Sequence, residues 1–158
     1  MASQEINYWL MKSEPDVYGI NHLEDEKETL WDGIRNYQAR NYMRDMNIGD
    51  QAFFYHSNCK PPGIVGMMEV TNTGIVDPTQ FDKDSRYFDP KSATDNPRWD
   101  CVKLKYLKTF KEKITLSSLT ERYSPEEFKL VRKGNRLSII PVSKQIAKQL
   151  FNEIKDFI

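Results

Sequence analysis

Strand-like runs follow one another in this chain without a helix between each pair, and that order narrows the fold more than any other feature. Gln51–Tyr55 and Ile64–Val70 are joined only by the loop His56–Gly63 with its Pro61-Pro62. Trp99–Phe110 carries Val102, Leu104, Tyr106 and Leu107 in near alternation and reads as a long strand. Asn7–Met11 reads as a first strand, stopped by Ser13-Glu14-Pro15, and Gly134–Val142 as a last one. Helical signals are interspersed irregularly. A short amphipathic helix fits Ile20–Lys27. Asn36 is an N-cap for Tyr37–Met46, where Ala39, Tyr42, Met43 and Met46 share a core-facing stripe. Ser124-Pro-Glu-Glu127 has capping-box form with Pro at the first helical position, which predicts a helix start. Val142, Ile146, Leu150, Ile154 and Ile158 recur every four residues and predict a C-terminal amphipathic helix. The absence of regular βαβ alternation points to an α+β fold, a curled antiparallel sheet or small barrel flanked by helices.

The 158 residues suit a single domain spanning 1–158, with no repeat and no linker. The stretch 71–97 is rich in Asp, Pro, Ser and Thr and reads as a long surface excursion, of the kind that is functional or mobile. No apolar run is long enough to span a membrane. The first five residues have neither a basic start nor an apolar stretch, so no signal peptide is expected. Cys59 and Cys101 suit a reducing compartment, cytoplasmic, or nuclear in a eukaryote. Lys plus Arg and Asp plus Glu both number 23, so a nucleic-acid role would rest on a local basic patch and on contacts to bases.

Most catalytic and cofactor chemistries find no support. His56 and Cys59 are three apart, but no second close pair completes a zinc spacing. Ser57-Asn-Cys-Lys60 matches S-x-x-K without its companion elements. No phosphate-binding glycine loop occurs, and the Asp77–Asp89 acidic stretch lacks the Gly and terminal Glu of a calcium loop. No cofactor and no metal are expected.

What remains is a set of aromatic and polar residues at element ends. Lys12-Ser13-Glu14 closes the first strand, Trp31–Asn41 leads into a helix, Tyr55-His-Ser-Asn58 closes another strand, and Arg136-Leu-Ser138 lies near the last. Flat rings stack on bases, amides and hydroxyls read a base edge, and cations hold flanking phosphates. The same residues also fit a core Trp, a helix-capping Asn and ordinary surface charges, and composition alone leaves both open.

Several of these stretches resemble the EVE family, a PUA-like domain. They are Tyr8-Trp-Leu-Met-Lys-Ser-Glu-Pro15, Trp31–Arg44 and Phe54-Tyr-His-Ser-Asn58. Pro61-Pro-Gly-Ile-Val-Gly66, Gln80-Phe-Asp82, Tyr87-Phe-Asp-Pro-Lys91, Arg98-Trp99 and Arg136-Leu-Ser138 continue the series in order, from about Asn7 into the C-terminal helix. The resemblance implies a PUA-type β-barrel flanked by helices, similar in fold to YTH domains. It also implies a non-enzymatic reader of a modified base, with modified cytosine in DNA favoured. On that basis Lys12, Ser13, Trp31, Asp32, Asn36, Tyr55 and Ser57 are candidates for the base, with Trp31 stacking and Tyr55 as a second wall. Arg35, Arg40 and Arg136 are candidates for the nucleic-acid backbone. An RNA-binding module is the alternative, and an enzyme using His56 or Asp32 as general base ranks behind it. One departure stands out. The family's last strand runs Arg-Leu-Ser-Val-Gln-Pro, and Ile140 replaces its amide here.

Overall fold

The computed structural model describes residues 5–155. Ile158, the last member of the C-terminal stripe, lies outside them. In chain order the elements are β1 (Tyr8–Ser13), α1 (Pro15–Tyr18), α2 (Ile20–Glu26), β2 (Glu28–Leu30), α3 (Tyr37–Asp45), β3 (Gln51–His56) and β4 (Gly63–Val76). After a 3-10 turn at Pro78–Phe81 come β5 (Asp100–Thr115) and α4 (Leu116–Arg122). A second 3-10 turn at Lys129–Val131 leads to β6 (Ile139–Val142) and α5 (Lys144–Ile154). The six strands form one sheet in the order β2-β5-β4-β3-β1-β6. This is the α+β, PUA-like architecture, as a curled sheet that does not close into a complete barrel.

The pairing is antiparallel except between β1 and β3, which run parallel with Tyr8 opposite Gln51 and Ser13 opposite His56. A parallel pair needs a long crossover, and residues 14–50, carrying α1, α2, β2 and α3, supply it. Curl comes from bulges, one between β3 and β4 at Phe54/Tyr55 and several along β4 and β5. Two glycines in the Pro61–Gly66 stretch permit it. A Cβ on Gly63 would lie 2.3 Å from the Ile114 carbonyl oxygen, and one on Gly66 would lie 2.4 Å from that of Lys108.

Both faces of the sheet are covered, which is why β1 and β3 read as continuous apolar runs. Trp9, Met11, Ala52 and Phe54 point into one core, closed by Ala39, Met43 and Met46 of α3. Leu10, Phe53 and Tyr55 point into the other, closed by Leu119 of α4, Phe128, Leu130 and the α5 stripe Ile146, Ala147, Leu150 and Ile154. Helix α3 packs against β4, β5 and β6 and so bridges the gap the sheet leaves. No helix among the described residues is long and apolar enough to cross a membrane.

Two sequence expectations change, and one helix is unexpected. The helix predicted from Ser124 is a single turn: the Glu127 and Phe128 amides donate to the Ser124 carbonyl, both at 3.0 Å, and a 3-10 turn follows. Phe128 and Leu130, two apart, are both pulled into the core, a spacing an α-helix cannot satisfy. The last strand pairs only from Ile139, since Gly134 turns at φ +78° and Asn135 holds the chain in a local turn by accepting from the Leu137 amide at 2.8 Å. Helix α4, capped by Thr115 Oγ1 accepting from the Ser118 amide at 3.2 Å, had no recognised signal.

The start of β1 and the entrance to β3 are joined by a buried carboxylate. Asp50 Oδ2 accepts from Trp9 Nε1 at 3.0 Å and the Asn47 amide at 2.9 Å, while Oδ1 accepts from the Asn7 amide at 3.1 Å. Removing one donor leaves a buried charge under-satisfied. Trp9→Phe is therefore expected to lower unfolding free energy by about 1–3 kcal/mol in urea titration.

Candidate functional site

Opposite edges of the sheet contribute to one cleft of about 680 Å³. Thr29, Leu30 and Trp31 come from β2 and the residue after it, whereas Arg136 and Ser138 precede β6 at the other edge. Lys12 and Ser13 end β1 between them, and Ser57 follows β3. Backbone bonds lock this floor: the Lys12 amide donates to the Ser138 carbonyl at 2.8 Å and the Ser57 amide to the Ser13 carbonyl at 3.0 Å. Trp31 is held by its own amide on the Val102 carbonyl at 2.9 Å and packs edge-on against Phe54, centroids 5.4 Å apart. At 6% exposure it is a core residue that lends part of its ring to the cleft.

The remaining wall comes from the long excursion, which is fastened by buried polar groups. The Asp77 carboxylate, fully buried, accepts from the Gly33 amide (2.8 Å), from Arg35 Nη1 (3.0 Å), and from the Thr79 amide (2.8 Å) and hydroxyl (2.6 Å). Gln80, also fully buried, donates to the Asp77 and Trp99 carbonyls, both at 2.7 Å, and accepts from Ser92 Oγ and the Trp99 amide. Arg35 adds bonds to the Tyr87 carbonyl at 2.9 and 2.7 Å. Tyr87 is thereby set against Gly33, where a Cβ would lie 2.7 Å from its ring. Gly33 has φ +80°, so glycine meets both demands.

Charges in the cleft are mixed. Burial pulls the Lys12 ammonium below the usual lysine range, and its Nζ lies 5.7 Å from the Tyr55 ring centroid. Burial, then the Asp77 charge, pushes the Asp32 carboxyl up, although Arg35 opposes this. Tyr18, which donates to Glu26 Oε1 at 2.5 Å, has its phenol pushed up to about 12, chiefly by burial and then by that bond. Flat rings, hydroxyls, the carboxylates of Glu14, Glu26 and Asp32 and the cations Lys12, Arg86 and Arg136 line this one space.

A family model described as the EVE domain matches residues 7–153. The chain belongs to the EVE domain family. Among EVE relatives, zebrafish (Danio rerio) thymocyte nuclear protein 1 is 48% identical over 122 residues, covering 70% of this chain. The chain spans about half of that protein's length, 53%. A solved structure of the human THYN1 protein in complex with 5-methylcytosine containing DNA is 36% identical, covers 94% of this chain and 98% of its own, and superposes with a TM-score of 0.88. The YTH domain of Zygosaccharomyces rouxii MRB1, 11% identical, covers 98% of this chain and 90% of its own at a TM-score of 0.55, a likeness of fold alone.

Within this EVE domain the structure brings together Lys12, Ser13, Trp31, Asp32, Ser57 and Arg136 on the cleft. It places the other sequence candidates elsewhere. Tyr55 is buried in the second core, because alternation along β3 turns it away from Phe54 and Trp31. Asn36 Oδ1 accepts from the Ala39 amide at 3.0 Å as the cap of α3. Arg35 is engaged by Asp77, Thr79 and Tyr87. Arg40 donates to the Arg98 carbonyl at 2.8 Å and stacks over Tyr37. Ile140 is fully buried in the second core and does not line the cleft. Tyr18, Glu26, Thr29, Arg86 and Tyr87 do line it, although sequence reasoning gave them no role. For Tyr87 a signal existed, the Tyr87–Lys91 stretch that carried the family resemblance.

His56, the general-base candidate besides Asp32, and the nearby Cys59 are held structurally. His56 Nε2 accepts from the Ile20 amide at 3.1 Å at the start of α2, and Cys59 Sγ contacts the His56 and Pro61 carbonyls. Burial, then Lys113, holds the His56 imidazole neutral below its usual pKa of 6.5. The unfolded chain therefore binds more protons just below pH 6.5, so this group's contribution to stability is complete above that pH and is lost as pH falls. Thermal unfolding from pH 7.5 to 5 is expected to show a drop in wild type that is shallower in His56→Gln, whose amide oxygen still accepts from Ile20. Asp77→Ala is expected to cost about 3–5 kcal/mol by urea titration, because it strips Arg35 of its partner and orphans two amides.

Proposed function

We propose that this chain is a non-catalytic DNA-binding domain that takes one modified base, 5-methylcytosine or a related derivative, into the cleft beside Trp31. The observation that carries the reading is the human THYN1 complex with 5-methylcytosine containing DNA, from a chain similar over nearly the whole length of this one. The cleft chemistry supports it. Stacking on Trp31 would contribute about 1–3 kcal/mol per base. The Asp32 carboxylate is suited to accept from the exocyclic amine of cytosine. Ser57 would meet other edge atoms. Ser13 would do so through the acceptor capacity left after its hydroxyl donates to the Tyr18 carbonyl at 2.6 Å. Lys12, Arg86 and Arg136 would meet the adjoining phosphates. Asn36, Arg35 and Arg40 then serve the site indirectly, by fixing α3 and the excursion, and Tyr55 serves it from beneath Lys12. Binding is favoured over base catalysis by His56 because its Nε2 is committed to the Ile20 amide and the residue does not line the cleft.

The test is a titration with oligonucleotides that differ by a single methyl group. Tighter binding of the methylated strand, by up to about 1–3 kcal/mol, is expected. Asp32→Asn should weaken binding while leaving the melting temperature equal or raised at neutral pH, since the fold already disfavours its ionised form. Equal affinity for both strands would overturn the reading, and tighter binding of the matched RNA would reassign the partner.

A further inference from the structure

We infer that the loop Lys129–Arg136 is a phosphate track, over which the strand flanking the cleft runs after it leaves the base beside Trp31. The inference deepens the proposed function and rests on it. Eight consecutive residues, 129–136, hold four cations (Lys129, Arg132, Lys133 and Arg136) and no acid, in a chain whose charges cancel overall at 23 against 23. All four are exposed. With Gln38 of α3 they line a second hollow of about 320 Å³, and Arg136 lines both this hollow and the base cleft. The two recesses are therefore contiguous.

The loop is built to keep its cations in place. Gly134 turns at φ +78°, the Asn135 amide donates to the Arg132 carbonyl at 3.0 Å, and Asn135 Nδ2 donates to the Lys129 carbonyl at 2.5 Å. The Leu137 amide then donates to Asn135 Oδ1 at 2.8 Å. Lys129 Nζ donates to Tyr42 Oη at 3.2 Å on α3. Among the described residues no ion pair engages any of the four cations, whereas Arg35, Arg44, Lys103, Lys105, Arg122 and Lys144 are each paired. Unpaired cations on a braced turn suit a polyanion, since binding them breaks no internal salt bridge. Within the cleft, Glu14, Glu26 and Asp32 repel phosphate, so a strand whose base is inside is steered out past Arg136 onto this loop.

The experiment compares wild type with a triple variant, Lys129→Gln, Arg132→Gln and Lys133→Gln, and with the single reversal Lys133→Glu. Arg136 is left intact because it lines the cleft. Affinity for methylated and unmethylated strands, and for the isolated methylated nucleoside, is measured across salt concentrations. Each phosphate contact contributes about 0.7 to the salt slope for a single strand. The triple variant, which removes three cations, is expected to lower the salt slope by about 2 and bind both strands correspondingly weakly at low salt, with an unchanged preference for the methyl group and unchanged affinity for the nucleoside. A salt slope and strand affinity equal to wild type, with methyl preference intact, would overturn the track and leave the base reading standing. A reduced slope without any methyl preference would uphold the track and overturn the base reading. Stronger competition by polyglutamate than by either strand would reassign the loop to an acidic protein and overturn the inference.

Discussion

A curled sheet whose two edges approach each other without pairing is the constraint on which the rest of this domain depends. Bulges along β3, β4 and β5, opened by Gly63 and Gly66, bend the sheet until the end of β2 stands near the approach to β6. A flat sheet would leave Trp31 and Arg136 far apart. A fully closed barrel would fill the space between them with strand-to-strand bonds. The intermediate geometry leaves a gap, bridged at one end by α3 and left as a cleft elsewhere.

Polar burial does for the excursion what apolar burial does for the sheet. Between β4 and β5 there is no Val, Leu, Ile or Met, and Trp99 alone of four aromatics is buried, so the chain is fixed by Asp77 and Gln80, each fully buried and each bonded to backbone many residues away. Such groups are costly unless satisfied, and no buried side-chain polar atom among the described residues lacks a partner. Trp99 joins in through Nε1 on Asp89 at 2.7 Å and through stacking on Tyr37, centroids 4.8 Å apart. The excursion is therefore tied to the segment that carries Trp31 and Gly33, and the two walls of the cleft are bonded to each other.

Much of the fold was legible because its signals are periodic or local. The α3 cap at Asn36, the apolar runs of β1 and β3 and the four-residue recurrence in α5 all stand where the sequence placed them. The site was legible only in part, and the misses have physical reasons. Tyr55 looked like a cleft residue because it is aromatic and ends a strand, yet strand alternation sends it to the opposite face, and no property of the residue itself reveals that. Arg35 and Arg40 looked free because their partners, Asp77, the Tyr87 carbonyl and the Arg98 carbonyl, lie some forty to sixty positions away. Asp77 and Gln80 could not be told from solvated residues of an acidic loop, since burial of a polar side chain leaves no local pattern.

The near-complete burial of Trp31 divides the cleft into a floor that belongs to the core and a rim that does not. Its ring supports Phe54 and the first core, so a replacement there disturbs the whole domain before it alters any ligand. Arg86 and Asp32 stand exposed at the rim and carry no comparable packing. A substitution at Arg86 or Asp32 can therefore change what the rim offers without disturbing the core, whereas one at Trp31 cannot. A lineage could exchange one small polar guest for another through two or three surface substitutions, keeping an aromatic floor that stability alone would preserve.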